Sequence, residues 1–169
     1  MRILGAILLT ASASLIGILK AKSLKESAAS LAELISFLQM MKCEIATSVM
    51  PVKLIIKWGL ESECRYISCF LNELEQGLDS LHDTSFDKMW KNSVTSALTF
   101  LSDRQCFLLC SLGESIGRFE PELQGEAIDG CITVFEKDLA EINSQLKSNQ
   151  KMYIGLGSGA GLILSIILI

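Results

Sequence analysis

Histidine occurs once in this chain of 169 residues, as His82, and proline twice, as Pro51 and Pro121. One histidine removes the commonest general base and leaves too few nitrogen ligands for most zinc centres. A Ser-His-Asp triad would have to be built on His82, which sits in a polar loop expected over 79–85. Aromatic residues make up 7% of the chain and charged residues 20%. The first figure is low for a base-stacking platform, and the second falls below the roughly 25% of an ordinary soluble domain. A net charge of -4 excludes the basic excess of a nucleic-acid protein. No glycine-rich loop leads into Lys-Ser or Lys-Thr, and no H-E-x-x-H helix is present. The acidic pairs Glu61/Glu63, Glu73/Glu75 and Glu120/Glu122 are two residues apart, so each pair points to different helix faces and reads as solvated surface. No catalytic residue, metal ligand or cofactor is therefore expected, and the chain does not read as an enzyme.

What the chain has is apolar residues, 50% of the total, concentrated at its two ends. Ile3 to Leu19 form seventeen uncharged residues between Arg2 and the lysines Lys20, Lys22 and Lys25. As a helix this run is about 26 Å long, against a hydrocarbon core of about 30 Å, and Lys20 and Lys22 can snorkel to extend it. A cleaved signal peptide is the competing reading, with Ala11-Ser12-Ala13 as a cleavage site, but the apolar run continues past it to Leu19. Met152 to Ile169 form eighteen more uncharged residues behind Lys147 and Lys151. Two transmembrane helices are expected, over 3–19 and 152–169, with a domain over 20–151 between them. Both flanks of that domain are basic, which places it in the cytosol and both termini outside, with Arg2 the one opposing charge. All six cysteines (Cys43, Cys64, Cys69, Cys106, Cys110 and Cys131) lie between the spans, and none forms a C-x-x-C pair. In the cytosol they stay reduced and read as small core residues; a redox or metal sensor built on them is the alternative function.

The middle segment has helical periodicity. Leu24, Ala28, Leu31, Ile35, Leu38, Ile45 and Val49 form one stripe on a long helix that Pro51 ends. A short helix through Leu54, Ile55 and Trp58 is expected to stop near Gly59. Another should run from Ser62 to Gly77, with Ile67, Phe70, Leu71, Leu74 and Leu78 as its apolar side. Ser85 can cap a helix carrying Phe86, Met89, Trp90, Val94, Leu98 and Leu101. Ser102 with Gln105 reads as a capping box for a helix ending at Gly117. Pro121 should open a last helix with Ile128, Ile132, Phe135, Leu139, Ile142 and Leu146 at steps of four and three, the spacing of an antiparallel seam. The fold class is all-α: about six helices in an antiparallel bundle, the first and last continuing into the spans. Gly155, Gly157, Gly159 and Gly161 give overlapping small-x-x-x-small pairs in the second span, and Ala13 and Gly17 offer small residues in the first. Such residues let helix backbones approach closely in lipid, so the spans are expected to pack together or to form a homo-oligomer.

Several segments together resemble a known family. Leu4-Gly5-Ala6 with its apolar run and Lys20-Ala21-Lys22, then Glu44-Ile45 with Pro51, then Leu112-Gly113-Glu114-Ser115-Ile116-Gly117 with Gln124 and Ile128, and last Lys151-Met152-Tyr153 with Leu156-Gly157 are similar in order and spacing to the stage III sporulation protein AB (SpoIIIAB) family. Met50 stands where that family usually has Thr, and Ser and Ala fill the stretch after the first span where basic residues are usual. The resemblance makes Glu44, Pro51, Gly113, Gly117 and Gln124 structural signature positions. It implies a non-enzymatic component of the sporulation apparatus that links mother cell and forespore, in the mother-cell membrane. Its cytosolic domain would be similar to the inner-membrane platform domains of type II secretion and type IV pilus systems. The implied partners are a co-encoded secretion-type ATPase, SpoIIIAA-like, and other membrane subunits of the channel, with membrane lipid around the spans and no nucleic acid.

Overall fold

A computed structural model describes the backbone of residues 2–48, 50–62, 64–79, 85–116 and 118–168, and the side chains of 19, 22–47, 50–62, 64–79, 85–116 and 118–148. Six helices and no strand occur among the described residues: α1 (Arg2–Ser48), α2 (Val52–Glu61), α3 (Ser68–Asp79), α4 (Phe86–Ala97), α5 (Asp103–Ser115) and α6 (Pro121–Leu168). The all-α class and the helix count are those expected. Among the described residues no helix is long and apolar enough to cross a membrane. Apart from Leu19, the side chains of the expected spans, with Ala13, Gly17, Gly155, Gly157, Gly159 and Gly161 among them, lie outside the described residues. So do His82 and Gly117.

The chain divides into two compact units, one of residues 29–139 and one of residues 1–28 with 140–169. In the latter, Lys22 and Glu26 pair at 4.0 Å one turn apart on an exposed face, which contributes only a few tenths of a kcal/mol. The 29–139 unit holds the hydrophobic core. α2 packs on α3, α3 on α4 and α4 on α5. Its parts of α1 and α6 run antiparallel, because Lys42 reaches Asp129 at 2.6 Å while the earlier Gln39 reaches the later Glu136 at 3.2 Å. Leu31, Leu34, Leu38 and Met41 of α1 are sealed in the core, as are Ile128 and Phe135 of α6. The seam of α6 thus follows the four-three spacing through the bundle.

The core centres on Trp90. Its indole meets Phe70 edge-on at 5.3 Å and Phe86 at 5.8 Å, and Phe70 in turn meets Phe37 edge-on at 6.5 Å. The indole Nε1 donates to the Leu109 carbonyl at 2.6 Å, so the one polar atom of a fully buried ring is satisfied. Such aromatic pairs add about 1 kcal/mol each beyond the area they bury.

Three glycines allow close packing, and two of them, Gly59 and Gly77, also stand near the helix ends they were expected to mark. Gly59 lies inside α2, which continues to Glu61. An added Cβ there would stand 2.9 Å from Phe37 Cε2 and 3.1 Å from Leu71, so the glycine lets α2 settle between α1 and α3. Gly77 lies inside α3 two residues before its end, and an added Cβ would run into Met89. Gly113 is backed by Trp90 in the same way. Helix starts also shift. α3 begins at Ser68 rather than Ser62, and α4 ends at Ala97, leaving Leu101 outside it. Pro121 does open α6, and Pro51 stands just ahead of α2 at its N-cap.

Candidate interaction surfaces

The internal polar contacts show what fixes the exterior. Ser102 and Gln105 form the expected capping box at the start of α5: the Ser102 N–H donates to Gln105 Oε1 at 2.9 Å and the Gln105 N–H to the Ser102 hydroxyl at 3.4 Å. Gln105 does a second job that its position gives no sign of. Its Nε2 donates to Asp138 at 2.8 Å and ties α5 to α6. Glu33 of α1 accepts the N–H of Tyr66 at 2.9 Å and that of Ile67 at 3.2 Å. Its carboxylate thus satisfies donors just ahead of α3 that the helix itself leaves open. Nothing near Tyr66 in sequence signals this, because Glu33 is 33 residues away. Among the described residues every buried side-chain nitrogen and oxygen has a partner.

The signature positions lie in varied settings. Glu44 is half-buried and Pro51 exposed. Gly113 is buried under Trp90. Gln124 is buried, and its Nε2 donates to the Phe119 carbonyl at 2.6 Å. That bond pins the turn between α5 and α6 and so sets where Phe119 sits. Arg118, in the same turn, pairs with Asp87 at 3.2 Å. The Asp87 carboxyl is held below the usual carboxylate range, first by the Ser85 hydroxyl that donates to it and further by backbone N–H groups and the Arg118 charge.

Against this frame a few large apolar side chains face outward. Phe107 is 72% exposed, Phe119 54% and Leu123 51%, while Leu54 and Trp58 are each 45% exposed. Of the three residues that mark the short helix in the sequence, only Ile55 lies on the buried face of α2, with Ile56 and Gly59. The close approach at Gly59 decides that rotation. Leu123 could have been found from sequence, since it is an apolar residue off the Ile128 to Phe135 stripe. A groove of about 670 Å³ between α1 and α6 is lined by Gln39, Lys42, Asp129, Ile132 and Glu136, and the Lys42–Asp129 pair spans it.

The cysteines do not assemble into a site among the described residues. All six are free, and no group of three metal-ligating side chains occurs among the described residues. Cys106 and Cys110 do meet on α5. Burial first, then the neighbouring Cys106, pushes the Cys110 thiol up to about 11, and burial alone pushes Cys131 up to about 11. Both are protonated at neutral pH, the opposite of an activated or ligating thiolate.

The family model described as stage III sporulation protein AB matches residues 2–169. No curated protein matches the sequence. Among solved structures, stage III sporulation protein AB (SpoIIIAB) is similar at 19% identity, with a TM-score of 0.62, over 70% of this chain and 94% of that one. At that identity the likeness is one of fold.

Proposed function

Because the chain belongs to the stage III sporulation protein AB family, we propose that it is a non-enzymatic membrane platform of the sporulation apparatus, set in the mother-cell membrane facing the forespore. In this reading residues 3–19 and 152–169 span the membrane, residues 20–151 lie in the cytosol and both termini lie outside. The basic flanks support that orientation: Lys20, Lys22 and Lys25 follow the first span, and Lys147 and Lys151 precede the second. The platform docks a co-encoded secretion-type ATPase and links it to the membrane subunits of the channel.

The observation that carries the reading is the continuity of the first and last helices. α1 runs 47 residues and α6 48 residues without a break, each joining an apolar terminal segment to a helix of the folded bundle. A helix transmits a displacement along its axis because each residue is tied to the next turn. The side chains that would engage a partner are the acidic surface residues of the bundle.

The test is direct binding. Full-length protein in lipid nanodiscs is titrated with the ATPase encoded beside it, in reducing buffer with chelator. Saturable binding is expected. Absence of binding at about 100 µM, weaker than roughly -5.5 kcal/mol, would overturn the docking assignment.

A further inference from the structure

The two units of the chain differ in the sign of their charge. Residues 29–139 carry nine lysines and arginines against seventeen aspartates and glutamates. In the other unit, the stretches 20–28 of α1 and 140–151 of α6 border the apolar ends and carry five lysines against two glutamates. Anions are therefore drawn to these stretches and turned away by the 29–139 unit. Among the described residues Lys25 and Lys147 have no carboxylate partner. Lys22 meets Glu26 only at 4.0 Å, with both side chains largely in solvent.

A shallow groove of about 570 Å³ lies on this part of α6, and the described residues lining it are Ala140, Asn143, Ser144, Lys147 and Ser148. Steps of three and four put them on one face of the helix, and all five are exposed, whereas Ile142 and Leu146 are half-buried. Glu141 lies about 100° round the helix from Ala140. The strip thus offers an ammonium, two hydroxyls and a carboxamide, all donors to phosphate oxygens, and no carboxylate. Its height follows from the helix rise, because α6 continues without a break to Leu168. Lys147 is about 7.5 Å and Ser148 about 6 Å before Met152, where the second apolar run begins. A headgroup layer is about 5–8 Å thick on each side of the hydrocarbon core, so both side chains stand at its depth. Asn143 and Ser144 lie one turn further out. On α1 the exposed Leu19, followed directly by Lys20, marks the same change from apolar to basic surface.

We propose that this groove holds the headgroup of an anionic phospholipid, with Lys147 and Ser148 at the phosphate and Asn143 and Ser144 at the headgroup hydroxyls beyond it. Lys22 and Lys25 raise the local concentration of such lipids. The proposal rests on the membrane reading of residues 3–19 and 152–169, which sets the groove at this height. Charge selects the headgroup. A choline headgroup brings its own cation against Lys147, whereas a glycerol headgroup leaves the phosphate charge uncompensated and free to pair with the ammonium.

Lipid titration of the full chain tests it. The detergent-solubilised protein is titrated with phosphatidylglycerol or with phosphatidylcholine of the same acyl chains, and bound lipid is counted by native mass spectrometry. Circular dichroism confirms that each variant is folded. The parent should hold phosphatidylglycerol about fivefold or more tightly than phosphatidylcholine, and less so as ammonium acetate is raised. Lys147→Gln with Ser148→Ala should bring the two lipids near parity, and Lys147→Arg should keep the preference. Lys137→Gln, at an exposed lysine of α6 in the 29–139 unit, should leave it unchanged. Equal retention of the two lipids by the parent would overturn the proposal. So would a preference that survives Lys147→Gln with Ser148→Ala, which would give the lipid to the other lysines. Glycerol 3-phosphate held as tightly as the lipid would give the groove to a soluble anion instead. Carbonate extraction of the membrane fraction separates this proposal from the platform reading. A chain that resists carbonate yet shows no lipid preference loses the headgroup site alone, whereas one released by carbonate loses the spans and the site together.

Discussion

Replacing Gly113 by alanine should destabilise the protein although it adds a better helix former. In an open helix the change gains about 1 kcal/mol. At Gly113 the new methyl meets Trp90 at the side-chain stem, Cβ, Cγ and Cδ1, rather than at a movable tip. Trp90 has no room to yield. It is fully buried, held between Phe70 and Phe86, and its Nε1 is bonded to Leu109 one turn back on α5. Overpacking of this kind costs about 1–3 kcal/mol, and losing the indole hydrogen bond leaves a buried donor open at a similar cost. The net loss is about 2–3 kcal/mol. Gly130→Ala is the control, because nothing lies within 4 Å of its added Cβ and the residue is exposed inside α6. It should gain about 0.5–1 kcal/mol. The assay is urea unfolding of the full chain in mild detergent, followed by circular dichroism and by tryptophan fluorescence, to which Trp58 contributes beside Trp90. The Gly113→Ala midpoint should fall by about 1 M or more and the Gly130→Ala midpoint should rise slightly, with similar slopes. A Gly113→Ala protein as stable as the parent would refute the account of the Trp90 core.

Two further outcomes follow from the buried contacts. Glu33→Ala should cost about 2–3 kcal/mol in the same unfolding assay, because it strips the acceptor from the Tyr66 and Ile67 N–H groups, whereas Glu33→Gln should cost about half as much by keeping an oxygen there; equal losses would show that the amide fails as an acceptor. In alkylation followed by mass spectrometry at pH 8, the exposed Cys43 and Cys69 should react first, while Cys110 and Cys131, raised from 9.0 to about 11, hold about 100-fold less thiolate than an ordinary thiol and should lag. Lag from the raised value should shrink as the pH climbs toward 11, and equal rates at pH 8 would refute the burial of these thiols.

What the sequence determined by itself is local. The α5 capping box, the Pro121 start of α6 and the apolar seam through Ile128, Ile132 and Phe135 depend on residues within one or two turns, whose spacing along a 3.6-residue helix already decides who meets whom. The family signature was legible for the same reason, as short segments in order. Only the tertiary structure decided the rest. Gly59 and Gly77 stand near the ends of α2 and α3, as their stop signal indicates, but the close approach they allow to Phe37 and Met89 depends on how the helices are placed. The same approach turned Leu54 and Trp58 outward and made them surface. Glu33 gained its role from donors 33 and 34 residues away, and Gln105 its second bond from Asp138, 33 residues on. Periodicity along one helix holds no information about such partners, since they are set by how one helix is rotated and placed against another.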